Sequence, residues 1–367
     1  MKSKGMINIT GASESRVAPV IRQILLEQET KGQCLVVVPS YIRAKRLATD
    51  LSFFVGKNTN IYVLPPEEEG LIRYEAKNHD QLFMRLKILK ALRTGEECIV
   101  IAPATGAIKK LPPHVTFDNS SMRLTCGEDI DLEQVKEKLV LMGYERAHLV
   151  EARGEFSIRG SIIDIFTADG EYPYRIELFD TEVDSIRSFD LESQRSVENL
   201  KYIEVYPAEQ ILKDRTVFDI AAGRIKKAYA GQIRKYTSEE CTEEELERGR
   251  NLQQRRDQLV EFAENCMNLQ QMENYLYYFY DETEYIWDYM NDPLIIIDDP
   301  ARILDSLEVR DKETAEDFKT MLERGQAVPS ELKNFSNKSD YLKLYEMETA
   351  YLLTPFQKTI KGVDSLA

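Results

Sequence analysis

The sequence predicts an α/β fold in which a helix-covered parallel sheet is interrupted by a smaller α+β domain. Apolar runs alternate with helical patterns over residues 6–122, which is typical of strand–helix–strand units in a parallel sheet. Short strands of alternating polarity follow over residues 123–212. Pro293–Asp299 then resumes the continuous apolar character of the first region, so we expect the chain to return to the first sheet.

The first region contains four predicted strands and three predicted helices. Its clearest strand is CLVVV, which is closed by Pro39 and is apolar throughout, as in strands buried on both faces. The predicted strands are Met6–Ile9, Cys34–Val38, Asn60–Leu64 and Cys98–Ala102. The predicted helices are Ser15–Glu29, Ile42–Phe54 and Asp80–Arg93.

The second region predicts one helix and a set of short antiparallel strands. The helix is Leu132–Met142 and ends at Gly143. The turn sequence Thr167–Gly170 separates two strands and favours a hairpin. The predicted strands are Glu155–Arg159, Ser161–Phe166, Tyr174–Phe179 and Val183–Phe189.

Residues 213–345 are predicted to be helical and highly charged. Glu239–Glu264 is rich in Glu, Arg and Gln, which favours a solvated helix. The aromatic run Tyr275–Tyr289 has an alternative interpretation as a platform for single-stranded nucleic acid. Acidic residues are interleaved with it and would repel phosphate, so we interpret the aromatics as core residues.

These patterns predict four segments. Residues 1–122 form the first part of the parallel-sheet domain, and 123–212 form the inserted domain. Residues 213–345 complete the first domain, and 346–367, where structure signals are weak, form a linker toward downstream domains.

Composition excludes several classes of protein. With 48 Lys plus Arg against 63 Asp plus Glu, the net charge of -15 argues against a surface that binds nucleic acid throughout. Five scattered cysteines and three distant histidines suggest reduced thiols, with neither a disulfide framework nor a metal site. No apolar run approaches the ~18 residues of a membrane span, and the first residues lack a signal-peptide pattern. We therefore expect a cytoplasmic protein without a cofactor.

The turn Asn8–Ser15 has the position of a phosphate-binding loop but lacks its residues. In the pattern GxxxxGK[ST], Asn8 and Ser13 stand where the two glycines are needed, although Gly11 lies between them. Glu14 replaces the lysine, and only the hydroxyl of Ser15 is kept. Two unit charges ~4 Å apart interact by about 4 kcal/mol at an effective dielectric constant of 20, so this reversal of sign disfavours ATP strongly.

A second piece of the same degenerate site ends the returning strand. Asp298 and Asp299 follow an apolar run, where a magnesium-binding acid would lie. Because the loop has lost its lysine, we interpret both aspartates as a polar pair kept for helix capping. We expect no catalytic residues and no ATPase activity in this chain.

Several longer strings resemble one protein family. GEFSIRGSIIDIF (Gly154–Phe166) and PYRIELFDTEVDSIRSFD (Pro173–Asp190) are similar to the N-terminal region of bacterial transcription-repair coupling factors (Mfd). LMGYER, VIAPATGAIKKLPP and LIIIDDPARI fit the same region in the same order. The resemblance extends from about Ile7 to about Leu332.

That region is itself similar to the excision-repair protein UvrB, which leaves an alternative function. A UvrB-like protein would verify DNA damage with ATP. Such proteins carry an intact phosphate-binding loop and an aromatic-rich hairpin. Here the loop is degenerate, and Pro65–Ala76 is short and acidic, with four Glu and one aromatic residue. The sequence therefore favours the coupling factor.

The resemblance implies a three-part, non-catalytic module. A degenerate helicase-like α/β domain would be split by an inserted domain that recruits UvrA to stalled transcription. In the family, this surface is also held against the protein's own C-terminal domains. RNA polymerase and DNA would be contacted only by downstream domains, which include the ATP-dependent translocase and do not fit in 367 residues.

The resemblance also implies which residues bind UvrA: Arg159, Arg175 and Phe179. Strand alternation supports this independently, because Tyr174, Ile176 and Leu178 share one face, and Arg175, Glu177 and Phe179 share the other. An apolar ring beside arginine on a polar face is typical of an interface.

An alternative keeps these residues structural. Phe179 would pack under a loop, and both arginines would pair with Glu177 or Asp180. Under the binding hypothesis, the same two acids are expected to hold the arginines in place, with Arg187 as a weaker contributor.

Overall fold

The computed structural model describes residues 5–28, 32–56, 59–66, 79–238, 240–347, 349–355 and 364–366, and contains three sheets. The strands are β1 (Gly5–Thr10), β2 (Gln33–Val38), β3 (Asn60–Val63), β4 (Cys98–Pro103), β5 (Met122–Thr125), β6 (Glu145–Arg146), β7 (Glu155–Arg159), β8 (Ile162–Phe166), β9 (Tyr174–Phe179), β10 (Glu182–Phe189), β11 (Ser196–Leu200), β12 (Tyr202–Val205), β13 (Leu294–Asp298), β14 (Thr349–Thr354) and β15 (Asp364–Leu366).

Twelve α-helices lie within the described residues. They are α1 (Val17–Glu27), α2 (Tyr41–Ser52), α3 (His79–Arg93), α4 (Ala104–Ala107), α5 (His114–Asp118), α6 (Leu132–Leu141), α7 (Arg215–Ile233), α8 (Glu243–Glu264), α9 (Leu269–Met272), α10 (Leu276–Phe279), α11 (Pro300–Glu323) and α12 (Lys338–Leu342). No helix in this part of the chain is long and apolar enough to cross a membrane.

The largest sheet has seven strands in the order β15-β1-β14-β13-β2-β4-β3, and every pairing is parallel. All residues of β2, β4 and β13 are buried, which explains their continuous apolar sequences. The predicted α/β fold with a parallel sheet is confirmed. The predicted return of the chain is confirmed as well, because β13 lies directly beside β2.

The C-terminal segment differs from the prediction. Residues 349–354 form β14, which lies between β1 and β13 near the centre of the sheet, so a weakly structured linker is wrong for these residues. The sequence signal for this strand is weak, because the apolar run Ala350–Leu353 has only four residues and is bounded by two threonines. All four residues of the run are buried in the structure. Pairing with strands about 50 and 340 residues away, as the register shows, is what buries it.

The second sheet has six strands in the order β11-β10-β9-β8-β7-β6, and all its pairings are antiparallel except β6 with β7. Its predicted strands are confirmed within one residue at each end. The change from parallel to antiparallel strands supports the division that we propose at residues 122 and 212.

The two sheets share one hydrophobic core. Gly154, at a positive φ of 83°, allows the close approach of Phe83 from α3, since a Cβ there would lie 3.3 Å from the ring. Lys90 of α3 donates to Asp169 at 2.6 Å. These contacts attach the second sheet firmly to the first.

The helical region buries its aromatic residues. Six of the eight aromatic side chains in the run Tyr275–Tyr289 are buried, and the other two pack partly buried against the hydrophobic core, which confirms the core interpretation. The six are Tyr275, Tyr278, Phe279, Tyr285, Trp287 and Tyr289. The solvated helix is confirmed in part. Eight of the 22 residues of α8 are exposed, but a stripe that includes Leu252 and Leu259 packs in the same core as α7.

Candidate protein-binding site

The outer face of the second sheet brings the three predicted binding residues together. On β9, Ile176 and Leu178 are buried, whereas Phe179 is exposed, so the predicted alternation is confirmed. Arg159 lies on β7, and Arg175 lies on β9, with β8 between them. The three side chains are therefore carried by rigid strands rather than by loops.

One buried carboxylate joins the two arginines. Asp164 of β8 pairs directly with Arg175 in the strand register and is only 2% exposed. Its Oδ1 accepts from Arg175 Nε at 2.7 Å, and its Oδ2 accepts from Arg175 Nη2 at 2.8 Å. Asp164 Oδ2 also accepts from Arg159 Nη2 at 2.9 Å. One carboxylate therefore neutralises much of the charge of two arginines.

This arrangement corrects the predicted partners. Glu177 forms its ion pair with Arg187, whose Nη2 donates to Glu177 Oε1 at 2.5 Å, and its negative charge raises the pKa of Arg175 as a smaller cause than the Asp164 hydrogen bonds. Asp180, the other predicted partner, lies in the two-residue turn after β9, with a positive φ of 58°. The alternative of intramolecular pairing is present, with Asp164 as the acid. We call Arg159, Asp164, Arg175, Glu177 and Arg187 the arginine cluster.

Arg175 makes two further contacts besides those with Asp164. Its Nη2 donates to Gln194 Oε1 at 3.1 Å, and its guanidinium carbon lies 4.3 Å from the centre of the buried Phe189 ring. Hydrogen bonding to Asp164 raises the pKa of Arg175 above its ordinary value, against the opposing effect of burial. Arg175 is therefore a fixed, permanently charged group.

Phe179 projects into solvent at the end of β9. It is 78% exposed, so the alternative in which it packs under a loop is wrong. The turn after it is anchored: Thr181 Oγ1 donates to Asp129 Oδ1 at 2.7 Å, and Thr181 O accepts from Ile130 N at 2.9 Å. An apolar ring on an anchored hairpin loses little conformational entropy on binding.

Asp164 is the residue of this candidate site that the sequence-based prediction did not include. The signal is present, because IIDIF places one acid in the middle of an apolar strand. Alternation directs Asp164 away from the core, and the hairpin between β8 and β9 aligns it with Arg175.

The residues predicted to form a degenerate nucleotide site lie at the carboxyl end of the parallel sheet. Gly11 adopts a positive φ of 78°, and Ala12 N donates to Thr354 O at 3.1 Å. The buried Asn8 accepts from Thr354 Oγ1 at 3.1 Å, which ties the turn to β14. Glu14 and Ser15 are exposed, as is Ser13 before them.

The two aspartates after β13 have different tasks. Asp299 caps α11, since its side chain accepts from Arg302 N at 3.3 Å, so the predicted capping role is confirmed there. For Asp298 the capping role is wrong, because its Oδ2 accepts from Arg43 Nε at 2.7 Å. Burial raises the pKa of Asp298 while Arg43 lowers it, and the charges of Asp299 and Glu14 add to the rise.

Known proteins resemble this chain along most of its length. The sequence profile of the family described as "UvrB interaction domain" matches residues 122–210, which include all six strands of the second sheet and the arginine cluster. The predicted resemblance to the UvrB-like N-terminal module of transcription-repair-coupling factors is confirmed. The Bacillus subtilis transcription-repair-coupling factor is 33% identical over 312 residues, which cover 85% of this chain and 26% of that protein.

Staphylococcal proteins of the same name show a similar pattern. The Staphylococcus epidermidis protein (strain RP62A) is 29% identical over 97% of this chain and 29% of its own length. The Staphylococcus aureus protein (strain MRSA252) is 30% identical over a region that covers 92% of this chain and 28% of that protein. The chain therefore spans roughly a quarter of the length of these curated relatives.

Proposed function

We propose that this chain is a non-catalytic module that recruits UvrA to stalled RNA polymerase in transcription-coupled repair. The observation that carries the proposal is the exposed Phe179 beside the arginine cluster, within the matched UvrB interaction domain. The similarity to transcription-repair-coupling factors supports the process, and the arrangement of the second sheet supports binding of a protein.

The chemistry of this face suits a protein partner. Phe179 offers a large apolar area, and aromatic residues near the centre of an interface often contribute most of its binding energy. The arginine cluster has three positive and two negative side chains, which leaves one surplus positive charge. An acidic, partly apolar surface of UvrA would complement both features.

The parallel sheet serves as a scaffold in this proposal. At its carboxyl end, Asp298 is already paired with Arg43, and the exposed Glu14 adds negative charge where a phosphate would bind. This arrangement supports a module without ATPase activity. ATP-driven translocation and contacts with RNA polymerase, DNA and the protein's own C-terminal domains belong, in the proposal, to regions downstream.

The test is a calorimetric titration of the 367-residue chain with purified UvrA. We expect Phe179→Ala to weaken binding at least about thirtyfold, which is the loss of a contact worth about 2 kcal/mol. The matched control is Phe53→Ala, because Phe53 is 81% exposed but lies after α2, in the other sheet's domain. Unchanged affinity of the Phe179 variant, or an equal loss in both variants, would refute this binding surface.

A further inference from the structure

The two arginines assigned to UvrA binding have very different environments. Arg175 is 14% exposed and is held by Asp164 through two hydrogen bonds, by Gln194 through a third, and by the face of Phe189. A guanidinium held from three sides cannot turn toward a partner without breaking several favourable contacts. Arg175 is thus part of the sheet's own structure.

Arg159 is more accessible and less restrained. Its side chain is 40% exposed, and within the described part of the chain it makes one side-chain hydrogen bond, to Asp164 Oδ2. Arg159 is the last residue of β7 and pairs with Ile162 of β8 in the strand register. Arg159 can therefore exchange its single bond for an equivalent one outside.

Asp164 determines whether that exchange is favourable. A carboxylate that is 2% exposed needs a permanent partner, because an unpaired buried charge is strongly unfavourable. When Arg159 leaves, both oxygens of Asp164 still accept from Arg175. The buried charge stays neutralised, and the exchange removes one charge-assisted bond while a partner supplies another.

We propose that Asp164 is a positioning residue that separates the tasks of the two arginines. Arg175 remains on Asp164 as a fixed support, and Arg159 is released to bind a carboxylate of the partner protein next to the Phe179 contact. This inference rests on the proposed function, and it replaces the expectation that both arginines contact UvrA.

The division of tasks has a consequence for variants. In Arg175→Ala, Asp164 retains Arg159 as its charged partner, so Arg159 would be trapped on the buried carboxylate and unavailable to UvrA. Removing the carboxylate as well should free Arg159 again. Loss of Arg175 would then be repaired by a second substitution, which a direct contact would not allow.

The experiment is a double-mutant cycle in the 367-residue chain, with UvrA affinity and thermal unfolding measured for each variant. We expect Arg175→Ala to weaken binding about tenfold or more, because release of Arg159 would leave a buried charge unpaired. We expect Arg175→Ala combined with Asp164→Asn to recover to within about threefold of the unsubstituted chain, together with its melting temperature. Arg175→Lys, which keeps a charged donor for Asp164, should also recover most of the affinity.

Arg159 provides the contrasting arm. Arg159→Ala should weaken binding, and adding Asp164→Asn should restore nothing, since the contacting group itself is missing. The proposal is overturned if the variant combining Arg175→Ala and Asp164→Asn binds as weakly as Arg175→Ala alone, because Arg175 would then contact UvrA directly. Absence of binding by the unsubstituted chain, or an unaltered affinity in Phe179→Ala, would instead overturn the recruitment function itself and this inference with it.

Discussion

An arginine–aspartate pair lies at each of the two sites, but the surroundings differ. At the carboxyl end of the parallel sheet, Arg43 pairs with Asp298. The carboxylates of Asp299 and Glu14 also lie close enough to raise the pKa of Asp298. On the second sheet, Asp164 is shared by two arginines. The first site is thus rich in negative charge, whereas the second has surplus positive charge beside an exposed ring.

This difference supports the proposal that the parallel sheet does not bind nucleotide, while the second sheet offers a face for a partner protein. The parallel sheet retains the turn after β1 and the acid at the end of β13, but their charges are compensated internally or repel phosphate. The arginine cluster is compensated only in part, so it can interact with an outside acid.

The largest expected effect is on stability and comes from the first site. Arg43→Met should lower the free energy of unfolding by about 3 kcal/mol, because it leaves the buried Asp298 without its cation. Urea unfolding measures this, with the exposed Arg46→Met on the same helix as control. Adding Asp298→Asn should restore much of the loss, and failure to do so would mean that Arg43 acts mainly through packing.

The next effect is on binding and compares charge reversals at the two sites. Arg159→Glu should weaken UvrA affinity about a hundredfold, since an acid would then face the partner's acid. Glu14→Lys reverses one charge in the opposite direction at the degenerate nucleotide site and should change that affinity less than about twofold. Titration calorimetry of both variants tests the contrast, and similar changes would show that only the net charge of the chain matters.

A smaller effect concerns pH. Because the pKa of Asp298 is raised in the folded chain, the folded state binds more protons than the unfolded state above pH 3.8. This contribution to stability is fully present below pH 3.8, and it is lost as the pH rises through the higher pKa of the folded chain. The total loss is about 1.4 kcal/mol for each unit by which the folded pKa exceeds the unfolded pKa. Asp298→Asn should remove that slope from unfolding free energies measured across this range, and an unchanged slope would assign it to other groups.

The smallest expected effect is the response to nucleotide. Mg-ATP should leave the melting temperature unchanged, whereas a ligand at 100 times its dissociation constant would add about 2.7 kcal/mol. A clear upward shift would favour the UvrB-like, ATP-dependent alternative and would show that Glu14 does not prevent phosphate binding.

The periodic parts of the fold were predictable because their signals are local. The runs CLVVV and LIII are apolar without interruption, and both proved to be strands buried in the parallel sheet. The alternation of YRIELF correctly separated Phe179 from the core. By contrast, β14 was missed because a run as short as AYLL carries too little periodicity to be assigned without its neighbours.

The candidate site was predictable as a set of residues but not as a set of contacts. The resemblance pointed to Arg159, Arg175 and Phe179, and the structure places all three on one face. It did not reveal Asp164, and the acids nearest in sequence to Arg175 and Phe179 are not the ones that hydrogen-bond Arg175. Cross-strand neighbours are set by register, and sequence distance is a poor guide to them.

The sequence by itself determined the two kinds of sheet, the presence of Glu14 at the lysine position of the phosphate-loop pattern, and the outward direction of Phe179. These follow from hydrophobic period, residue type and strand alternation, which are properties of short segments. Only the tertiary structure decided that β14 completes the parallel sheet, that Arg43 neutralises Asp298, and that the buried Asp164 binds both Arg159 and Arg175. Burial and charge pairing arise between segments distant in the chain, so no local pattern contains them.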